Sequence, residues 1–198
     1  AAQPDAQVPN CPDWDGRVLA SHMGRVWHML FLIIERGLDT FPERDMFPEK
    51  VAGGEFDSAR VALERVDTSM RALDPGAPQW SWGTTQTNGF YIRRLHLENL
   101  VHRVDAEQMS GVESEIDGDE AADAVDERFI EFAPIREGRP DGSLHLHRTD
   151  GDGEWTVTVE NDAIVATREH AKGDAAARGT GADLMLAVWG RGPLESLE

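Results

Sequence analysis

The stretch DGRVLASHMGRVWHMLFLIIERG, residues 15–37, decides the architecture of the first half of this 198-residue chain. Val18, Leu19, His22, Met23, Val26, Leu30 and Ile33 or Ile34 recur at intervals of three and four, which places them on one face of a helix. Asp13 or Asp15 can supply the oxygen that caps its first turn. Gly37 supplies the stop, since only glycine enters the left-handed conformation there without steric cost. The apolar run from Met29 to Ile34 is too short to span a bilayer and meets Glu35 and Arg36, so it is a buried helix segment.

Outward from this helix, the first dozen residues read as an extended lead-in ending at Pro9-Asn10-Cys11-Pro12. After a loop with Pro42, Pro48 and Gly53-Gly54, a second helix is expected from Asp57 to Leu73, apolar at Ala59, Val61, Ala62, Val66 and Met70, and ended by Asp74-Pro75-Gly76. Trp80 to Gly89 follows neither period and reads as a loop carrying two tryptophans. A third helix runs from Gly89 to Met109, with Tyr91, Ile92, Leu95, Glu98, Val101, His102 and Asp105 close to one stripe. Three helices with antiparallel connections make an up-and-down bundle that lacks its fourth member.

The acidic, glycine-containing stretch 111–123 reads as a linker. Beyond it, Asp123 to Phe132 suggests a short helix, and 144–149 and 155–160 alternate with period two across the turn Asp150-Gly151-Asp152-Gly153, a hairpin pattern. Ala163 to Arg168 extends that sheet and Gly181 to Trp189 closes the chain as a helix. The fold class is α+β: a helical domain over 1–110, a linker over 111–123 and a small α+β domain over 124–198.

Composition narrows the partners. Asp and Glu number 37 against 19 Lys and Arg, and lysine stands only at 50 and 172. A formal charge of -18 repels phosphate backbones and anionic lipid, so neither a nucleic acid nor a membrane is expected. The one cysteine, Cys11, excludes an internal disulfide and suits a reducing cytoplasm. The chain starts at Ala1 and stops at Glu198 with no closing element, which reads as a piece of a longer protein.

Glu98 and His102 lie four apart on the third helix, so their side chains leave one face at successive turns. Two readings stand: an exposed polar pair, or two ligands of one ion. Their place on an apolar stripe favours the ion, because an unpaired carboxylate is costly to bury. His22 on the apolar face of the first helix is either a hydrogen-bonded core residue or a third ligand. Together His22, Glu98 and His102 make a His2Glu set, which leaves a coordination position open; zinc is the expected divalent ion, and iron, nickel and manganese are tolerated. Arg103 and Asp105 stand near His102 as residues that orient it or as purely structural groups. Cys11 is a structural thiol or a soft fourth ligand. His96, His145 and His147 read as surface residues.

The stretch from Asn10-Cys11-Pro12-Asp13-Trp14 through Leu19-Ala20-Ser21-His22-Met23-Gly24-Arg25-Val26 resembles the opening motif of the mycothiol-dependent maleylpyruvate isomerase family. The run from Arg93 through Leu97-Glu98-Asn99-Leu100-Val101-His102 to Glu107 resembles its second motif, and 144–155 with 184–191 resemble its C-terminal domain. The resemblance implies a metal-binding four-helix bundle of the DinB type followed by a small α+β domain, with His22, Glu98 and His102 as metal ligands and mycothiol as cosubstrate. It implies a thiol-dependent isomerase or S-transferase acting on a small electrophile such as maleylpyruvate, with Arg191 as an anion contact for thiol or substrate. Two departures are visible: Leu97 stands where the family commonly has a histidine, and the first bundle helix, due before Cys11, has only ten residues available. A bundle short of one helix can complete itself against a second copy, so a homo-oligomer is one expectation. The alternatives are a DinB-like metal protein without a thiol cosubstrate, acting as hydrolase or regulator, and a non-catalytic helical interaction domain.

Overall fold

Helix α1 (Gly16–Arg36) begins where Asp15, in extended backbone, accepts a hydrogen bond from the Val18 N–H, and ends where Gly37 turns left-handed at φ 58°. The Gly37 and Leu38 N–H groups return to the Ile33 and Ile34 carbonyls, which closes the last turn. The computed structural model describes residues 4–48, 53–132, 140–161 and 163–198. Residues 49–52 of the loop expected after Gly37 therefore lie outside the described residues. Helix α2 (Glu55–Arg71) carries two acidic residues in its first turn, and α3 (Asn88–Met109) is the longest helix of the unit. These elements belong to a first compact unit, Ala1–Ser114, and the remainder to a second, Glu115–Glu198.

In the first unit α1 packs along α2 and α3. Leu19, Met23, Leu30 and Ile33 of α1, Val66 and Met70 of α2, and Leu97, Val101 and Val104 of α3 are buried. Gly24 lets α1 and α2 approach: a Cβ there would stand 3.1 Å from the Ala59 Cα. The apolar stripe of α1 does not all enter the core. Val18 is 40% exposed and lines, with His22 and Val26, a cavity beside the helix. The lead-in is not extended: residues 4–15 hold turns fixed by the Gln7 amide, which donates to the Cys11, Pro12 and Trp14 carbonyls. Trp80 and Trp82 pack within this unit against Phe41, Phe90 and Tyr91.

The second unit opens with α4 (Gly118–Asp126), which continues as a π turn over Glu127–Glu131. The stretch expected as linker is thus helical from Gly118. Asp117 caps it through the Asp119 and Glu120 N–H groups, and the acidic residues that looked like a solvated spacer sit in its first turn, where the helix dipole favours them. Strands β1 (Gly142–Arg148) and β2 (Glu154–Glu160) form the expected hairpin, with Leu146 opposite Trp155 and His147 opposite Glu154. Strand β3 (Ala163–Thr167) pairs antiparallel with β2, and β4 (Ala175–Gly179) pairs parallel with β1, giving the order β3-β2-β1-β4. Helix α5 (Gly181–Val188) packs against α4, and both sides of that contact are buried at Ala121, Ala124, Leu184 and Met185.

Arg148 ties this unit together. Its buried guanidinium donates to Asp119 before α4 is complete, to Asp150 in the hairpin turn and to the Asp152 carbonyl, while Asp150 accepts from the Gly181 N–H at the start of α5. The chain is α+β throughout, and among the described residues no helix is long and apolar enough to cross a membrane.

Candidate metal centre

His22 stands on α1 and Glu98 and His102 on α3. His22 Nε2 and His102 Nε2 each lie 3.2 Å from the same carboxylate oxygen, Glu98 Oε1. The two imidazole centroids are 4.8 Å apart in an edge-on arrangement. Four-residue spacing on α3 brings Glu98 and His102 to successive turns, and the packing of α1 on α3 brings His22 to meet them.

Each donor is held by a further contact. Arg94, buried and one turn before Glu98, bonds Oε2 and leaves Oε1 to the imidazoles. Asp105, fully buried, lies 2.7 Å from His102 Nδ1. A carboxylate there accepts a hydrogen bond from Nδ1–H and leaves the Nε2 lone pair directed at Glu98, a tautomer assigned from this hydrogen bond. That lone pair then faces a carboxylate oxygen, an arrangement that is repulsive unless a cation stands between them. An ion with bonds of about 2.0–2.2 Å and tetrahedral angles holds its donors about 3.3–3.6 Å apart. The two Nε2-to-Oε1 separations match that spacing, so the residues present fit a small divalent ion.

Trp14 covers the group, with its ring 4.7 Å from that of His22 and stacked on that of His102 at 5.9 Å. Beside His22 opens a cavity of about 560 Å³, lined by Trp14, Arg17, Val18, Arg25, Val26 and Phe47 among others. A second of about 530 Å³ shares Ser21, Arg25, Phe47 and Glu55 with it and adds His28, Arg44 and Arg65. Burial and the neighbouring Arg65 guanidinium hold His28 below the usual histidine value. Arginine is thus concentrated on this face of a chain with a formal charge of -18, with Glu55 among it.

The structure sorts the other expected residues. Arg103 is turned to solvent and bonds Glu107, because adjacent helix positions point about 100° apart and only Asp105 shares the His102 face. Arg191 belongs to the second unit and donates to the Trp189 carbonyl. Cys11 packs against the Val8, Leu19 and Met23 cluster and is outside the group. His96 is exposed. Sequence reasoning assigned no role to Arg94 or Trp14. Arg94 was detectable as a basic residue four before Glu98; for Trp14 no local signal exists.

The sequence matches the mycothiol maleylpyruvate isomerase (MDMPI) N-terminal domain over residues 1–107 and the MDMPI C-terminal domain over 119–198. The chain belongs to the mycothiol maleylpyruvate isomerase family. No curated protein and no solved structure matches it. The two MDMPI domains fall on the helical and the sheet-containing units in turn. The donor atoms of His22, Glu98 and His102 meet at Glu98 Oε1, within the stretch matched by the N-terminal domain.

Proposed function

We propose that this chain is a metal- and thiol-dependent isomerase that uses mycothiol as cosubstrate and acts on a small anionic electrophile such as maleylpyruvate. The observation that carries this reading is the convergence of His22, Glu98 and His102 beside an arginine-lined cavity. His22, Glu98 and His102 would hold a divalent ion, zinc being the expected one, which when bound favours the thiolate form of a thiol at neutral pH.

The side chains of this protein supply position and charge rather than a nucleophile. Asp105 fixes the orientation of the His102 ring, while Arg94 fixes the Glu98 carboxylate. Val18, Val26, Met29 and Phe47 form an apolar wall on the His22 side of the cavity. Arg17 and Arg25, in the same cavity, would bind the carboxylates of the acceptor and face the negative charge that develops when a thiolate adds to its conjugated double bond. Rotation about the resulting single bond and departure of the thiolate complete an isomerisation; retention of the thiol would make the reaction a transfer.

The test is metal analysis of protein purified without an affinity tag, paired with turnover of maleylpyruvate with and without mycothiol. Tightly bound divalent ion that falls by one equivalent in Glu98→Ala, together with mycothiol-dependent turnover, is the expected result. A metal-free wild-type protein would sink the reading, and turnover independent of mycothiol would remove the thiol from it. Asp105→Ala is expected to weaken the ion by about 10–100-fold, since partners that orient a ligand imidazole carry that much affinity. Competition with a chromogenic chelator measures the shift, with circular dichroism to show that the helices persist.

A further inference from the structure

Three of the seven histidines gather on the second unit, far along the sequence from the group on α1 and α3. His145 and His147 alternate on β1, so they share one face of the sheet, and Glu154 of β2 stands opposite His147 on that face. His170 reaches the same carboxylate from the segment between β3 and β4. Strand alternation made the two β1 histidines look like solvent-facing residues, yet His145 is only 8% exposed, covered by the His170 ring at a centroid distance of 4.7 Å.

The contacts spread over both carboxylate oxygens, and His170 Nδ1 also lies 3.3 Å from Oε1. His147 Nδ1 binds Glu154 Oε1 at 2.7 Å. Toward Oε2 point His170 Nδ1 at 3.1 Å and His145 Nε2 at 3.9 Å. Among the described residues, His145 Nε2 is one of two buried side-chain atoms without a hydrogen-bond partner. An orphaned buried nitrogen is costly, and it is aimed at the carboxylate from too far for a hydrogen bond. Its distance instead leaves room between nitrogen and oxygen.

We propose that His145 Nε2, Glu154 Oε2 and His170 Nδ1 form a second site for a borderline divalent transition ion such as zinc, separate from the group on α1 and α3. The donor atoms lie within 4.8 Å of one another, and His170, 73% exposed at its side chain, is free to close the remaining gap. His147, by occupying Oε1, turns Oε2 toward the ion, the part an orienting residue plays beside a ligand carboxylate. An imidazole and carboxylate donor set suits zinc, nickel or copper over magnesium or calcium. Bound there, the ion joins β1, β2 and the segment leading to β4, so it clips the long connection between β3 and β4 onto the hairpin.

The site is tested in the full chain, stripped with chelator and titrated with zinc or cobalt(II). Wild type is expected to bind two equivalents, His102→Ala one, and His102→Ala/His170→Ala none. Because His170 is largely exposed, its replacement leaves no buried group stranded. A His102→Ala protein that binds no ion, or one whose ion survives His170→Ala, overturns the second site and leaves the first untouched. A single wild-type equivalent that is lost with His170→Ala and kept in His102→Ala upholds it and overturns the metal reading at Glu98 instead. His147→Ala should weaken the second equivalent by about 10–100-fold.

Discussion

His102→Ala is expected to lose mycothiol-dependent turnover by more than about 10³-fold at pH 7, through two separable effects. A thiol with the ordinary value near 8.5 is only about 3% thiolate at pH 7, so losing the ion costs roughly 30-fold in nucleophile alone. Losing the fixed position of that nucleophile costs more, since well-oriented attack is equivalent to an effective concentration of about 10⁵ M or above. The two effects differ in pH dependence. Residual turnover in the variant should climb about tenfold per pH unit until the free thiol ionises near 8.5, whereas wild type should be flatter across the same range. A pH–rate profile of both proteins at saturating mycothiol reads this directly. Equal slopes would mean that the site does not set the protonation state of the thiol. The ring removed is 8% exposed and bonded to Asp105, so the same change takes one partner from that buried carboxylate; a His102→Gln protein, which keeps a donor toward Asp105, separates a folding defect from a chemical one.

Trp155→Ala is expected to produce the largest loss of stability in the second unit. Its indole is 2% exposed at the second position of β2, and Nε1 donates to Asp126 Oδ1 at 2.7 Å. Truncating a buried tryptophan costs about 3–5 kcal/mol from lost burial and the cavity left behind. Asp126 also accepts from Arg168, so its carboxylate keeps one partner and does not become an isolated charge. For a unit of this size, a loss of that order lowers the thermal midpoint by about 15 °C or more. Near-ultraviolet circular dichroism and calorimetry should show the early transition, while Trp155→Phe, which retains most of the apolar contact, should fall by far less. A Trp155→Ala protein that melts with the wild type would mean that β2 and α4 do not depend on this contact.

Much of the helical unit was legible because its signals are local. Asp15 and Gly37 bracket α1, and the apolar period of three and four marks its buried face. Glu98 and His102 were visible as a pair through helix spacing, and His22 joined them as a third candidate on the apolar face of α1, but their meeting at one oxygen is a tertiary fact that spacing does not contain. What stayed hidden follows from the same distinction. The run Ala175-Ala176-Ala177-Arg178-Gly179 favours helix by composition and becomes β4 because it pairs along β1. The start of α4 was masked by a glycine and a cluster of acids that suit a linker as well as a first turn. His145 and His147 were correctly placed on one face of a strand, but alternation does not say what lies over that face, and His170 arrives there from more than twenty residues away.

The ring of Trp14 against His22 and His102 gives the protein an optical reporter of its own chemistry. Indole emission is quenched by a charged imidazole and altered by a metal ion a few ångströms away, so occupancy of the site is written into the fluorescence of the unlabelled chain. Six tryptophans contribute to the total signal, and subtracting the spectrum of Trp14→Phe isolates the one that matters. Under the proposed function, arrival of an ion, and then of a thiol, would be observable in a stopped-flow trace before any product forms.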